Sequence, residues 1–287
     1  MQLLVAMRPR QWVKNLLIFA VPLISGLQVV VTNWVGLTTA FLAFSMLASA
    51  VYLANDVLDV DRDRAHPTKR TRPIAAGLLA PRTAVTATAV LVAGSLALSV
   101  VALGLAVTAL FVSYLVAMAA YVAGLKSVPI ADLMVLAYGY IVRLIAGAAI
   151  VEKSPSPYLY LLVAGVAILV SAGRRSSELA RGGNSARRHR PVLGHYNLEY
   201  LDHVASIGAA LSLVAIALWS FDGAERQLYP VVAYASIAPA SFALFRYLLH
   251  VTTRSASSPE ALILSDRFLL TAVALWGLLV SLSATSF

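Results

Sequence analysis

Long apolar stretches alternate with a few charged clusters along this chain. Runs without Asp, Glu, Lys, Arg or His cover residues 16–55, 83–125, 154–173, 204–221, 227–245 and 268–287. About 20 apolar residues in a helix cross the roughly 30 Å hydrocarbon layer of a membrane. The first two runs are each long enough for two crossings, with breaks expected at Thr32-Asn33 and near Gly104. Residues 128–151 are apolar apart from Asp132 and Arg143, so the pattern predicts nine transmembrane helices.

The composition supports this interpretation. Hydrophobic residues make up 60% of the 287 and charged residues 12%, and the mean hydropathy is +0.82. Soluble domains have about 25% charged residues, so this chain lacks the polar surface that a water-soluble globule needs. We therefore predict an all-α, polytopic membrane protein whose single domain spans residues 1–287. The chain contains no Cys, which excludes thiolate nucleophiles, Fe–S clusters and disulfides.

The distribution of Lys and Arg predicts the orientation, because these residues are retained on the cytoplasmic side of a membrane. With a cytoplasmic N-terminus, all but Arg143, Lys153 and Arg226 of the 22 Lys and Arg residues fall on that side. The net charge of +9 then indicates topology and anionic ligands or lipids rather than nucleic acid. Two large loops, 56–82 and 174–203, hold most of the ionisable side chains, so we expect the functional site there.

The first loop begins with carboxylates directly after the second predicted helix. If that helix continues, Asp56, Asp59 and Asp63 share one face at i, i+3 and i+7, while Asp61 points away. Like charges so close repel unless a cation joins them, and oxygen ligands without His or Cys suit a hard ion such as Mg²⁺. The alternative is a solvated helix end whose acids pair with nearby arginines.

Cations follow these acids within the same loop. Lys69, Arg70 and Arg72 lie between two prolines that end the helix. Acidic and cationic side chains together at one helix end indicate a site for a metal-chelated phosphate compound. Lys69 and Arg72 either bind phosphate or simply contact anionic lipid, and Arg70 is expected at the surface.

The second loop is dominated by arginines. On a helix, Arg174, Glu178 and Arg181 share a face, and Arg175 lies beside them. Such a mixed site could bind phosphate, with Glu178 orienting an arginine or a sugar hydroxyl. Three later arginines are expected to face lipid headgroups: Arg187, Arg188 and Arg190.

Two ionisable residues fall within the fifth predicted helix. Asp132 and Arg143 are about 16 Å apart along the axis, so they cannot form one salt bridge. Tyr138 and Tyr140 stand between them, and a polar stripe there could line a pocket. Arg143 would then anchor a phosphate; the alternative is that it bonds helix carbonyls inside the bundle.

Several short motifs accompany these clusters. They are Arg8-Pro9-Arg10-Gln11-Trp12-Val13-Lys14-Asn15, Asn55-Asp56-x-x-Asp59-x-x-x-Asp63, His66-Pro67-Thr68-Lys69-Arg70, Arg72-Pro73-Ile74-Ala75-Ala76-Gly77 and Arg143-Leu144-Ile145-Ala146-Gly147. The aspartate-rich motif resembles the first such motif of the UbiA-type intramembrane prenyltransferases. The combination resembles the decaprenyl-phosphate phosphoribosyltransferases of that superfamily, over essentially the whole chain. One departure is that the loop after the sixth helix offers only Glu178 amid arginines, where prenyl diphosphate enzymes usually carry a second DxxxD-like cluster.

The resemblance implies a bacterial inner-membrane enzyme with a UbiA-like bundle and a cytoplasmic active site. It would transfer 5-phosphoribose from phosphoribosyl diphosphate to decaprenyl or another polyprenyl phosphate, releasing diphosphate, for cell-wall arabinan synthesis. Mg²⁺ would be held by Asp56, Asp59 and Asp63, with Asn55 positioning these catalytic groups. Substrate-binding candidates are Lys69, Arg72, Arg174 and Arg175 for the donor phosphates, Glu178 for a ribose hydroxyl, Arg10, Lys14 and Arg143 for the lipid phosphate, and Tyr138 as a lining residue.

Two other functions fit parts of the pattern. An aromatic prenyltransferase would share the fold and the first motif. A transporter would need polar residues through the membrane midplane, whereas here they crowd one side. The oligomeric state is left open by the sequence.

Overall fold

The computed structural model describes residues 1–66, 68–224, 230–254, 262 and 265–284. All regular secondary structure within these ranges is helical, and we number the α-helices in chain order. They are α1 (Gln2–Met7), α2 (Ala20–Ile24), α3 (Leu27–Thr32), α4 (Trp34–Leu58), α5 (Val60–Ala65), α6 (Pro81–Ala123), α7 (Ala131–Ile150), α8 (Pro157–His189), α9 (Leu198–Ala224), α10 (Pro230–Thr252) and α11 (Arg267–Ala284). Shorter 3₁₀ segments cover Pro9–Phe19, Lys69–Thr71, Leu125–Ser127 and Pro191–His195.

Six of these helices are long and apolar enough to cross a membrane. The crossing segments lie in α4, α6, α7, α8, α9 and α10, and α11 is a shorter apolar helix. The length and the apolar character of these helices agree with the composition. The protein is therefore an all-helical integral membrane protein.

Both helix breaks expected from the sequence are present. Helix α3 ends at Thr32 and α4 begins at Trp34. Within α6, Gly104 has φ 84° and ψ 173°, a backbone conformation that glycine adopts without steric penalty. The hydroxyls of Ser99 and Thr108 are 2.8 Å apart across it. Nine residues of straight helix span about 13 Å, so this contact requires the chain to reverse at Gly104.

The first apolar run differs from the prediction. It forms an eleven-residue 3₁₀ segment, α2 and α3 in place of one α-helix, with a turn at Gly26 (φ 109°). Pro22 has no backbone N–H, so the carbonyl of Ile18 cannot receive an α-helical hydrogen bond from it. Pro22 thus removes one hydrogen bond of a continuous α-helix where the 3₁₀ segment passes into α2.

The helices pack around two apolar clusters. The first joins the Pro9–Phe19 segment to α4, α6 and α7, where the rings of Phe44 and Phe111 meet edge to face at 5.0 Å. The second joins α8, α9, α10 and α11. Helices α8 and α9 cross closely because Gly165 has no side chain. A Cβ at this position would lie 2.7 Å from the carbonyl oxygen of Gly208. The site described below lies where the two halves meet.

Gly147 permits another close crossing. A Cβ at this position of α7 would lie 1.7 Å from the carbonyl oxygen of Ile18, which neither backbone could accommodate in place. The 3₁₀ segment therefore packs directly onto α7, and this contact sets Asn15 opposite Arg143.

We expect Gly147→Ala to destabilise the protein, because the added methyl group must push these two segments apart. Overpacking of this kind costs about 1–3 kcal/mol. Thermal unfolding of the purified protein in detergent measures the loss. Gly277→Ala in α11 is the matched control, since nothing lies within 4 Å of a Cβ there. Equal midpoints for the two variants would contradict the close packing.

Candidate active site

A polar cavity of about 290 Å³ lies between the two halves, at the end of the bundle where α4 ends and α7 begins. Its walls come from α4, α5, α6, α7 and α8 together with the loops that follow α5 and α8. Ten Lys or Arg side chains line it, against three Asp or Glu side chains. Ten of the predicted site residues contribute to this lining: Lys14, Asn55, Asp59, Asp63, Lys69, Arg72, Arg143, Arg174, Arg175 and Glu178.

The aspartate-rich segment is helical on both sides of a junction. Helix α4 ends at Leu58, and Asp59 (φ −97°, ψ 10°) connects it to α5. Hydrogen bonds from Asp59 N to Asn55 O (2.9 Å) and from Asp63 N to Asp59 O (2.8 Å) preserve the helical spacing. Asn55, Asp59 and Asp63 consequently line the cavity. The expected stripe of three carboxylates is incomplete, because Asp56 lies behind the others and is 2% exposed.

Each carboxylate is bound to a cation. Arg72 Nη1 donates to both Asp56 Oδ1 (3.0 Å) and Asp63 Oδ2 (2.6 Å). Arg8 Nη2 also donates to the two oxygens of Asp56, at 2.7 and 2.8 Å. Lys126 Nζ donates to Asp59 at 2.8 and 2.9 Å. These contacts tie the N-terminal segment and the α6–α7 connection to the aspartates.

Sequence reasoning missed two of these cations as site residues. Arg8 opens the motif before the first apolar run, and Lys126 is a lone cation between two long apolar stretches. The isolation of Lys126 is a usable signal, because a single charge flanked by apolar segments tends to meet a partner of opposite charge. Arg8 belongs to the N-terminal motif, and its sequence context alone does not indicate a contact with Asp56.

The oxygen atoms at the cavity wall suit Mg²⁺ only in part. No group of three or more Asp, Glu or His side chains in the described residues is arranged to hold a metal ion by itself. Mg²⁺ usually takes one or two carboxylates and completes its shell with substrate phosphates and water. Asp59 and Asp63 supply such oxygens at the cavity wall, beside the amide of Asn55. These side chains therefore fit a hard divalent ion that arrives with a phosphate-bearing substrate.

A buried ion pair joins α7 to α8. Arg175 is 1% exposed; its Nε donates to Asp132 Oδ2 at 2.6 Å, and its Nη2 donates to Tyr121 Oη at 3.1 Å. Asp132 also accepts from the hydroxyl of Tyr196 at 2.6 Å, and both burial and this hydrogen bond raise the pKa of Tyr196. The charge of Arg175 is thus compensated by a carboxylate. As expected, Asp132 and Arg143 do not pair with each other.

Arg190 belongs to the site, contrary to the expectation that it faces lipid headgroups. It lines the cavity, donates from Nη1 to Glu178 Oε2 (3.3 Å) and donates from Nη2 to Tyr121 Oη. The loop after α8 folds back over the cavity, which the sequence pattern did not reveal. Arg181 is exposed and bonds the carbonyl of Ser177, so it does not share the site with Glu178. The side chains of Arg187 and Arg188 lie outside the described residues.

Arg10 lies outside the cavity, although the sequence predicts it as a ligand of the lipid phosphate. It is exposed and does not line the cavity, whereas Lys14 does and donates to Gln11 at 2.6 Å. A 3₁₀ helix has three residues per turn, so Gln11 and Lys14 share a row and Arg10 is 120° away from it.

Tyr138 likewise lies outside the cavity, although the sequence predicts it as a lining residue. It is exposed, and its hydroxyl donates to Ser113 at 2.7 Å, while Tyr140 lines the cavity. Residues two apart on an α-helix differ by about 200° and cannot face the same cavity. The two tyrosines therefore do not form the single stripe that the sequence suggests.

The cationic wall changes the acidity of one of its members. Burial, and then the neighbouring charge of Arg72, lower the pKa of the Lys69 ammonium. Glu178 and Asp63 act in the opposite direction, and Arg190 adds to the lowering. Lys69 therefore loses its proton more readily than an exposed lysine.

Comparison of the sequence with known proteins gives a consistent result. The model of the UbiA prenyltransferase family matches residues 16–273. The decaprenyl-phosphate phosphoribosyltransferase of Corynebacterium glutamicum is 33% identical over 275 residues, which cover 94% of this chain and 83% of that protein. The enzyme of the same name from Mycobacterium tuberculosis (strain CDC 1551 / Oshkosh) is 37% identical over 269 residues, covering 92% and 88%.

Solved structures agree on the fold. A UbiA homologue from Archaeoglobus fulgidus bound to GPP and Mg²⁺ superposes with a TM-score of 0.70 at 16% identity, covering 100% of both chains. The same homologue has been solved with Cd²⁺, with a TM-score of 0.69. A digeranylgeranylglyceryl phosphate synthase gives 0.66 at 14% identity, covering 100% of this chain and 98% of that chain. At these identities the likeness establishes the architecture.

We expect Asp132→Asn to lower the stability of the protein strongly, because it leaves the buried guanidinium of Arg175 without its buried carboxylate partner and with only the longer 3.3 Å contacts to Glu178. Removing one partner of a buried pair costs about 3–5 kcal/mol. Thermal or denaturant unfolding in detergent measures the change. Asp61→Asn is the control, since the Asp61 side chain is 88% exposed and, in the described part of the chain, pairs only with Arg64. Equal stability of the two variants would refute a structural role for the Asp132–Arg175 pair.

Proposed function

Because the chain belongs to the UbiA prenyltransferase family, we propose that it transfers 5-phosphoribose from phosphoribosyl diphosphate to a polyprenyl phosphate and releases diphosphate. The names of relatives that are 33–37% identical over most of the chain support this reaction. The observation that carries it is the strongly cationic lining of the cavity, in which α8 contributes Glu178 as its one carboxylate. The product would feed cell-wall arabinan synthesis.

The cations are placed for a donor that is anionic at both ends. Lys69 and Arg72 come from the loop after α5, beside the aspartates, whereas Arg174 comes from α8 and Arg190 from the loop after it. Phosphoribosyl diphosphate carries a diphosphate on C1 and a phosphate on C5, whereas a prenyl diphosphate has one anionic end and a long apolar one. Two cationic walls therefore favour the phosphoribosyl donor. Glu178 would orient a ribose hydroxyl between them.

Mg²⁺ is the proposed cofactor. Asp59 and Asp63 would hold it with the amide oxygen of Asn55, while Asp56 supports this arrangement from behind through Arg72. The ion would supply Lewis-acid neutralisation of the charge that develops on the departing diphosphate. Lys69 and Arg72 would bind the remaining phosphate oxygens.

The reaction needs placement more than proton transfer. The bond from C1 of the ribose to the diphosphate oxygen breaks, and a new bond forms between C1 and a phosphate oxygen of the acceptor. This oxygen is already anionic, so no general base is required, and the main demand is to hold it beside C1. Attack from the side opposite the leaving group would invert C1.

Lys14 and Arg143 are the proposed ligands of the acceptor phosphate. Both line the cavity, and apolar side chains such as Val51, Met118 and Val170 stand around its deeper part. The long prenyl chain cannot enter water without a large free-energy penalty, so it would leave sideways into the bilayer.

The proposed topology has nine crossings and a cytoplasmic N-terminus. The reversal at Gly104 divides α6 into two crossing segments, and α11 is about 27 Å long. A 3₁₀ helix rises about 2 Å per residue, so Pro9–Phe19 followed by α2 spans roughly 30 Å despite having only sixteen residues. The cavity would then open to the cytoplasm of a bacterial inner membrane, where the soluble donor is made.

The purified protein should convert labelled phosphoribosyl diphosphate and a polyprenyl phosphate into a labelled lipid when Mg²⁺ is present. Asp59→Asn and Asp63→Asn should each lower kcat/KM by at least about a hundredfold, the loss typical of removing a group that stabilises transition-state charge. Asp61→Asn is the control and should retain activity. Turnover of a prenyl diphosphate with an aromatic acceptor, without labelled lipid, would replace our proposal by prenyl transfer. Substrate flux in liposomes without chemical conversion would indicate transport.

The lowered pKa of Lys69 predicts the alkaline side of the pH profile. As the pH rises through this pKa, the ammonium becomes neutral and the donor phosphate loses a charged partner. The value of kcat/KM for the donor should therefore fall, since this ratio reports groups of the free enzyme. In Lys69→Arg the guanidinium stays charged, so the fall should move to higher pH. An identical alkaline limb in both proteins would exclude Lys69 as its origin.

A further inference from the structure

Arg143 is a buried cation without an acidic partner among the described residues. It is 6% exposed; Nε donates to Asn15 Oδ1 at 2.8 Å, and Nη1 donates to the carbonyl of Gly139. The rings of Phe44 and Tyr114 lie 4.4 and 5.3 Å from its Cζ. The remaining nitrogen, Nη2, donates to none of the described residues, and it is not one of the fully enclosed polar atoms. It is therefore the nitrogen available to the cavity.

Asn15 holds this guanidinium through a fixed chain of hydrogen bonds. Asn15 is fully buried, and its Nδ2 donates to Ser45 Oγ at 2.8 Å. Ser45 Oγ in turn donates to the carbonyl of Phe41 at 2.7 Å. Because a guanidinium has only donors, the amide oxygen must face Arg143 and the amide nitrogen must face Ser45. The orientation of Asn15 is thus fully determined.

The neutrality of Asn15 has a consequence for charge. Elsewhere in the protein a buried arginine, Arg175, is paired with the carboxylate of Asp132. At Arg143 an amide takes the place of the carboxylate, so the hydrogen bond is made without cancelling the positive charge. An aspartate at position 15 would have nearly the same shape and would neutralise Arg143 as seen from the cavity.

The location of Arg143 favours the acceptor substrate, the polyprenyl phosphate, over the phosphoribosyl donor as its ligand. It lies about 18 Å along α7 from the first residue of that helix, and its side chain reaches back one turn, to Gly139. This depth is below the ring of aspartates and cations at the helix ends. The donor phosphates have nearer cations at the cavity mouth, which leaves Arg143 as a cation for the phosphate of the membrane-embedded acceptor.

We propose that Asn15 is a positioning residue for the acceptor: it aims Arg143 at the lipid phosphate and, being neutral, leaves the charge of Arg143 available to that phosphate. The inference rests on the proposed function and assigns Asn15 a role in recognising one substrate of that reaction. It predicts that substitutions at position 15 change the binding of the polyprenyl phosphate more than the binding of the phosphoribosyl donor.

Asn15→Asp provides the main test. The side chain keeps its size and can still accept from Arg143, but it can no longer donate to Ser45, a loss that Ser45→Ala measures separately. We expect KM for the polyprenyl phosphate to rise by about tenfold or more, the change that corresponds to one lost charge-assisted hydrogen bond. KM for the donor should change much less. An unchanged acceptor KM would refute the proposal.

Two further variants separate positioning from packing. Ser45→Ala removes the bond that orients the amide of Asn15, and it should raise the acceptor KM by a smaller factor. Ser49→Ala is the matched control: it deletes a buried hydroxyl of the same interface, bonded to Trp12, that does not line the cavity. It should lower thermal stability without changing either KM. Equal acceptor KM values for Ser45→Ala and Ser49→Ala would contradict the hydrogen-bonded chain.

Equilibrium binding keeps this test independent of turnover. Polyprenyl phosphate should raise the thermal midpoint of the wild-type protein more than that of Asn15→Asp at the same concentration. If this difference appears while no phosphoribose is transferred, the proposed reaction fails and the role of Asn15 stands. If transfer occurs but both proteins respond equally to the lipid, the role of Asn15 fails and the reaction stands.

Discussion

Charge compensation within an apolar bundle is the constraint on which this structure depends. Carboxylates in such surroundings are stable only when cations bind them, and the three acids of the aspartate-rich segment are bound by Arg8, Arg72 and Lys126. These partners come from the N-terminal segment, the loop after α5 and the α6–α7 connection. The ion pairs therefore assemble the mouth of the cavity as well as neutralising it.

The two buried arginines show how the same side chain serves two purposes. Arg175 meets a carboxylate, so its charge is used in joining α7 to α8. Arg143 meets an amide, a carbonyl and aromatic rings, so its charge is held in place without being cancelled. Close packing at Gly147 is what brings the amide of Asn15 within reach. The Arg175 pair thus serves stability, whereas Arg143 with its neutral partners is left for the proposed recognition of a ligand.

Much of the architecture could be predicted from the sequence, because helix breakers and apolar lengths act locally. The helix break at Asn33 and the reversal at Gly104 lie where the sequence predicts breaks, and Lys69 and Arg72 line the cavity. The errors arose where local periodicity was misjudged or where distant segments meet. Arg10 was misplaced because the segment is a 3₁₀ helix, and Arg190 was missed because its loop folds back over the site.

The α8 wall of the cavity bears on which donor the proposed reaction uses. The aspartate-rich wall would supply oxygens for a metal-bound diphosphate, a requirement that any diphosphate leaving group shares. Helix α8 and the loop after it add Arg174 and the Arg190–Glu178 pair, where a second acidic cluster would be suited to a second metal ion. Arginines in this place would bind phosphate directly instead of through a metal ion. A donor with phosphate at both ends satisfies both walls at once, whereas a prenyl chain would leave the cations of α8 without a partner in a site of low dielectric constant.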